Sequence, residues 1–199
     1  MTAETDVRDA DWYGEDLSGR EHEGVRFSGV DLSEATGEGV VFTDCTFADC
    51  KLNGVRLTDA AFLNCTFTGC SFFQAELTGC KFVGSRFERC GFDLLTVDGG
   101  DWSFVAMPGA DLTRATLAGT RMREADLTGL RAAGATLRGL DLSAAELGGA
   151  DLDGADLRGS DLSALDPRDA RLTGAVIDVA QAVVLVTSIG LDVRPDAPE

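Results

Sequence analysis

The chain has 199 residues and a formal charge of −17, from 34 Asp and Glu against 17 Lys and Arg. That balance argues against a general nucleic-acid binder, which needs surplus cations to neutralise phosphates, and points to a basic partner instead. The length suits one domain, the acidic start MTAETDVRDADW lacks an apolar signal-like segment, and no run of about 18 apolar residues exists, so a soluble cytoplasmic protein is expected.

Residues 1–9 read as a flexible N-terminus. From Trp12 to Ile177 the chain then counts in fives. Of the 34 positions in that series only His22, Gly37 and Pro167 are not hydrophobic, and the run ADLDGADLRGSDLSA at residues 150–164 shows the unit plainly. Neither a helix of period 3.6 nor a strand of period 2 keeps residues five apart on one face over such a distance. The chain must therefore turn once per unit, as in a solenoid.

The position two before each centre, from Ala10 to Ala175, is Ala, Val, Cys, Ser or Thr at 27 of 34 sites, which marks a cramped inward slot. All six cysteines, Cys45, Cys50, Cys65, Cys70, Cys80 and Cys90, occupy it. There they act as small hydrophobes, and without CxxC spacing and with a single His no metal site or cofactor is expected. Stacked side chains in one orientation lie alongside each other, so free thiols are expected rather than disulfides. Nineteen of the 24 glycines fall two residues after a centre, where a turn needs positive φ or close backbone approach. Residues just before and after each centre, such as Asp111, Thr113, Asp151 and Asp153, then point outward.

After Ile177 the count stops. Asp178 with Gln181 forms a plausible capping box and Gly190 a plausible stop, which predicts a helix over 179–189. Val179, Ala182, Val183, Val186 and Ile189 can form one apolar stripe on it, with Val184 and Leu185 at further angles. A cap over the last coil is one reading; because this is more apolar surface than one solenoid end buries, cap plus dimer interface is the favoured one.

These residues resemble the pentapeptide-repeat family. The resemblance implies an all-β fold, a right-handed quadrilateral parallel β-helix over residues 10–177, with about 20 residues per coil and a short C-terminal α-helix in the capping and dimerisation segment 178–199. Two core columns follow: Phe27, Phe47, Phe67, Phe87, Met107, Leu127, Leu147, and Phe42, Phe62, Phe82, Trp102, Met122, Leu142, Leu162. The tail residues Asp178, Gln181, Ala182, Val183 and Gly190, with EDLSG at 15–19 and FTDCTFADC at 42–50, are similar to the MfpA branch of the MfpA and Qnr proteins. That likeness implies a rod-shaped, dimeric, acidic DNA mimic that binds DNA gyrase, a type II topoisomerase, and protects it from fluoroquinolones.

Charge along the chain is uneven. Residues 10–49 sum to −8, 51–104 to −1, 105–140 to +2 and 141–166 to −6. The acidic block beside the supposed dimer seam, Asp141, Glu146, Asp151, Asp153, Asp156, Asp161 and Asp166, is the candidate partner-binding surface, and Arg114, Arg121, Arg123, Arg131 and Arg138 form a basic belt before it. The other reading is a scaffold or adaptor for a different basic partner. An enzyme is not expected, because one His and no phosphate-binding or nucleophile motif leave little to build catalysis from.

Overall fold

A computed structural model describes residues 6–194. Residues 1–5, part of the expected flexible N-terminus, lie outside the described residues. Within that expected segment, however, Asp6–Arg8 is a strand that pairs in parallel with Arg26–Ser28, so the coil starts at Asp6 rather than Ala10. The reason lies in the repeat, since Val7 sits five before Trp12 and is itself a centre packed on the core.

Every pairing joins residues 20 apart, in parallel. Four walls result, the first to fourth running through the centres Trp12, Leu17, His22 and Phe27 and their counterparts 20 residues on. The second wall carries a six-stranded sheet from Thr36–Glu38 to Thr136–Arg138, the fourth a five-stranded sheet from Asp6–Arg8 to Arg86–Glu88, and the third a three-stranded sheet of Glu21–Glu23, Val41–Thr43 and Ala61–Leu63. The first wall, from Asp11 to Arg171, is held by single bridges alone. The corners are tight turns, and the residue two after a centre has positive φ whether it is Gly79 at 65° or Asp59 at 52°. The non-glycine exceptions to ordinary φ are mostly Asp, Asn and Glu, of which Asp and Asn tolerate this region best. Gly100 is a different case. It occupies an inward slot at φ 85°, and an added Cβ would lie 2.0 Å from the Cys80 carbonyl oxygen.

The core is a set of stacks. Phe27, Phe47, Phe67 and Phe87 lie face to face at 4.7–4.9 Å, as do Phe42, Phe62 and Phe82 at 4.6–4.9 Å, and the two columns meet edge to face, for example Phe42 and Phe47 at 75°. Each such pair adds about 0.5–1.5 kcal/mol beyond area burial. Below Trp102 the columns change to Met and Leu. The inward cysteines carry no disulfides, and their thiols donate to the carbonyl 23 residues earlier, as Cys70 Sγ does to Phe47 O at 3.4 Å. Ser85 and Ser160 make the same bond to Phe62 O and Leu137 O at 2.9 and 2.8 Å. This shared bond explains why a hydroxyl or thiol is tolerated in a slot otherwise filled by Ala and Val. Burial pushes the Cys80 thiol up to about 11.

The ladder fails in two places. Along the second wall it runs without a gap from Leu17 to Val176, but among the described residues the amides of Arg89, Phe92, Leu94 and Asp111 have no backbone acceptor in the neighbouring coil. The gap opens two adjoining crevices of about 250 Å³, one lined by Phe92, Asp93 and Arg114, the other by Arg89, Cys90 and Pro108. The second failure is in the last coil, where Gly149 bonds Asp169, one residue further than its equivalents reach, around the half-buried Pro167. Of the corner residues from Asp9 to Gly174, only Arg114, Ala164 and Asp169 lack positive φ. All three sit at these failures. Amide exchange at Arg89, Phe92, Leu94 and Asp111 is therefore expected to be much faster than at Thr96 and Thr116 of the second wall; equal protection by mass spectrometry or NMR would contradict the open ladder.

His22 continues the third-wall column above Phe42, stacked at 5.1 Å, with its Nε2 buried and unpaired. Burial, and then the nearby Arg20, hold its pKa below the ordinary value. The unfolded chain then binds the proton more readily, so this contribution to stability is complete above the unfolded-state pKa of about 6.5 and is lost as pH falls. Replacing His22 by Phe should raise Tm and flatten its decline between pH 7 and pH 5. Parallel curves for the two proteins would show that the imidazole is not the cause.

Candidate functional site

One coil brings charges 18 to 21 positions apart within reach of one another, and Arg uses this reach. Arg121 binds Asp101 at 2.7 Å, Arg131 binds Asp111 at 3.1 Å and Arg114 binds Asp93 at 3.1 Å. The basic belt is thus mostly absorbed by its own neighbours rather than standing as a free positive band.

The same geometry divides the acidic block expected from the sequence. Asp141 is paired with Arg123 at 2.5 Å, Asp151 with Arg171 at 3.3 Å, Asp153 also with Arg171, Asp156 with Arg158 at 2.7 Å, and Asp166 with Arg168 at 3.0 Å. The Arg158 guanidinium beside it holds the Asp156 carboxyl at about 2. These pairs are exposed and individually weak, but each cancels charge at the surface. Among the described residues only Glu146 and Asp161 of the seven make no ion pair, and the block is correspondingly less negative than its sequence sum.

Free carboxylates lie mainly elsewhere. Among the described residues, Glu38, Asp59 and Asp98 on the second wall, Glu21, Glu23, Asp44 and Glu124 on the third, and Asp49, Glu88 and Asp126 on the fourth make no ion pair. The first wall retains almost none, because Lys51, Arg114, Arg131 and Arg171 answer its acids. Sequence reasoning missed this division by summing charge along the chain. Matching each Arg against the Asp residues of the adjoining coil would have found it. No group of three or more metal-ligating side chains occurs among the described residues, and none of their helices is long and apolar enough to cross a membrane.

The coil ends in a helix, Val179–Ser188, whose N-terminus carries the expected capping box. Asp178 accepts from the Gln181 amide at 2.9 Å and from Gly159 N–H at 3.1 Å, while Gln181 Oε1 accepts from Asp178 N–H at 2.8 Å. Gln181 Nε2 donates to Leu157 O and Ser160 O at 2.6 and 2.7 Å. The buried amide thereby takes the Ser160 carbonyl that a further coil would otherwise have bonded, and adds a second donor to Leu157 O, which already accepts from Ser160 N–H. Leu185, one turn on, packs against the core.

This choice of inward face alters the expected dimer stripe. Of its members, Val179 at 84%, Val183 at 43% and Ile189 at 44% exposure stand in solvent, whereas Ala182 and Val186 are half-buried, because Gln181 and Leu185 rotate that edge of the helix toward the coil. Val176, Val184, Leu191 and Val193 extend the exposed apolar area. Replacing Gln181 by Leu should cost about 1–3 kcal/mol in urea unfolding, because it leaves the Ser160 carbonyl and the Asp178 N–H without their partners; a cost near zero would mean that the amide is no keystone of the cap.

A coil of four walls, each a pentapeptide with an inward centre and an inward small residue, defines a parallel β-solenoid with a helical cap. The chain belongs to the pentapeptide-repeat family: a pentapeptide repeat region matches residues 21–97, and pentapeptide repeats of eight copies match 107–143 and 141–178. Among solved structures, full-length QnrB1, described as a plasmid-mediated fluoroquinolone resistance protein, superposes with a TM-score of 0.56 at 19% identity, covering 94% of this chain and 98% of that one. A trypsin-treated variant of QnrB1 gives 0.52 at 20% identity over 96% and 98%. At these identities the likeness is one of fold. No curated protein matches the sequence.

Proposed function

We propose that the chain is an acidic DNA mimic of the MfpA and Qnr type, nearest the MfpA branch, that binds DNA gyrase as a dimer and modulates its response to fluoroquinolones or related poisons. The observation that carries this reading is the placement of charge: unpaired carboxylates on three walls of a regular rod. At a coil rise of about 4.8 Å such carboxylates recur every one or two coils on the second and fourth walls, about 5–10 Å apart and sparser than the phosphates of a DNA strand, but of the same sign. A basic DNA path on a topoisomerase would meet a field of the sign it is built to receive, which raises association rates and makes binding salt-dependent. The fold-level likeness to a fluoroquinolone resistance protein supports the same reading.

Dimerisation follows from the cap. Val179, Val183, Ile189 and Leu191 leave an apolar area at one end of the rod, and a second copy meeting it end to end would double the length of the mimic. The protein supplies no chemistry in this scheme; it occupies a surface.

Purified protein should alter gyrase supercoiling or quinolone-stabilised cleavage at micromolar concentration or below, and a verified dimer without either effect removes the proposal. Charge placement has its own expected signature. The pair Glu146→Gln and Asp161→Asn, which removes unpaired carboxylates, should weaken gyrase binding more than Asp151→Asn and Asp153→Asn, whose carboxylates already answer Arg171. Equal effects from these two charge-matched variants would show that total charge alone matters.

A further inference from the structure

The third wall carries something the repeat does not require. Its outward positions, normally polar, hold Val41, Ala61, Leu63 and Val83, each half-buried, followed at the corner by Phe104 with 54% of its surface exposed. They adjoin one another. Val41 pairs with Ala61 and Thr43 with Leu63 in parallel register, and the bonds from Asn64 N–H to Val83 O and from Gly84 N–H to Ser103 O carry the column down to the coil of Phe104. Across these four coils the strip runs about 14 Å, three coil rises. Elsewhere on the walls, large exposed apolar residues such as Phe73 and Tyr13 stand singly.

The strip has a rim of one dominant sign. Glu21 and Glu23 pair in register with Val41 and Thr43 at its upper end, Asp44 flanks Thr43, and Glu124 follows the residue whose carbonyl accepts the Phe104 amide. None of the four carboxylates makes an ion pair among the described residues, while the nearby Arg121 and Arg123 are tied to Asp101 and Asp141. Lys81 is the cation that stands on the strip itself.

We infer that this strip is a docking surface for a cationic amphipathic segment of a partner protein: an apolar face seated on Leu63, Val83 and Phe104, with Lys or Arg reaching the free carboxylates at both ends. A helix of about three turns matches the strip in length. A contiguous, partly exposed apolar strip that the repeat does not require, rimmed by charge, suits an interaction site, and the rim selects the sign of the partner. A second copy of this chain is the poorer occupant, because pairing two third walls face to face sets unpaired carboxylates against each other. The inference concerns which wall a partner meets and does not depend on that partner being a topoisomerase.

The test uses full-length protein and two labelled peptides of equal positive charge, one an amphipathic helix of Leu and Lys, the other with Ser and Gln in place of Leu. Fluorescence anisotropy should show wild type binding the Leu peptide at least tenfold more tightly than the polar one. The triple variant Leu63→Thr, Val83→Thr, Phe104→Ser, unchanged in charge, should lose that preference, and Phe73→Ser on the opposite wall should keep it. Equal affinity of wild type for both peptides, or an unaltered preference in the triple variant, overturns the inference. So does sedimentation in which the triple substitution converts a dimer to a monomer, which would assign the strip to a second copy. Should the triple variant fail to fold, Phe104→Ser alone, at an exposed corner, carries the same comparison.

Discussion

The constraint on which the structure depends is closure of the chain on itself after every fourth pentapeptide. Once a coil closes in that way, the amides of most centres meet a carbonyl of the next coil, and side chains are placed above their counterparts there. Packing then becomes repetitive by necessity. Phe stacks on Phe at less than 5 Å, a thiol finds the same carbonyl that a hydroxyl finds, and one misplaced corner is felt across the next coil. Stability is distributed between adjacent coils in this arrangement, with almost no contact spanning the length of the rod.

The same closure governs the surface. Charges far apart in sequence become neighbours, so the electrostatic character of each wall follows from its columns and not from the local composition of the chain. The first wall is rich in acids yet largely self-neutralised; the third has fewer partners for its acids and an apolar strip among them. Four walls with one backbone thus present four different surfaces. A partner that distinguishes them reads the side chains beside the centres, which the core leaves free to vary.

Much of the architecture was legible in the sequence because the inward residues obey a strict period. The centres, the cramped cysteine slot and the Asp178–Gln181 cap all appear where their spacing places them. What was not legible depends on details that period alone leaves open. Val7 is a centre, but the count taken from Trp12 passed over it. The helix stripe was drawn from hydrophobicity, whereas a polar residue, Gln181, selects the inward face by reaching Leu157 O and Ser160 O. Arg158 interrupts the acidic block within the sequence itself, whereas Arg123 and Arg171 reach across it from outside, which a sum along the chain does not register. The open ladder at Arg89 to Asp111 follows from backbone angles that no composition announces.

A square coil also sets an unusual rule for how such a chain tolerates insertion and deletion. Adding one whole coil would lengthen the rod by one storey and leave every column continuous. Adding a single pentapeptide would preserve the core equally well, since centres still follow centres, but would turn everything downstream by a quarter revolution. The walls would then be spliced, with the upper part of one surface continuing into the lower part of another. Repeat number would therefore act as a rotary selector, able to recombine existing faces without replacing a single buried residue.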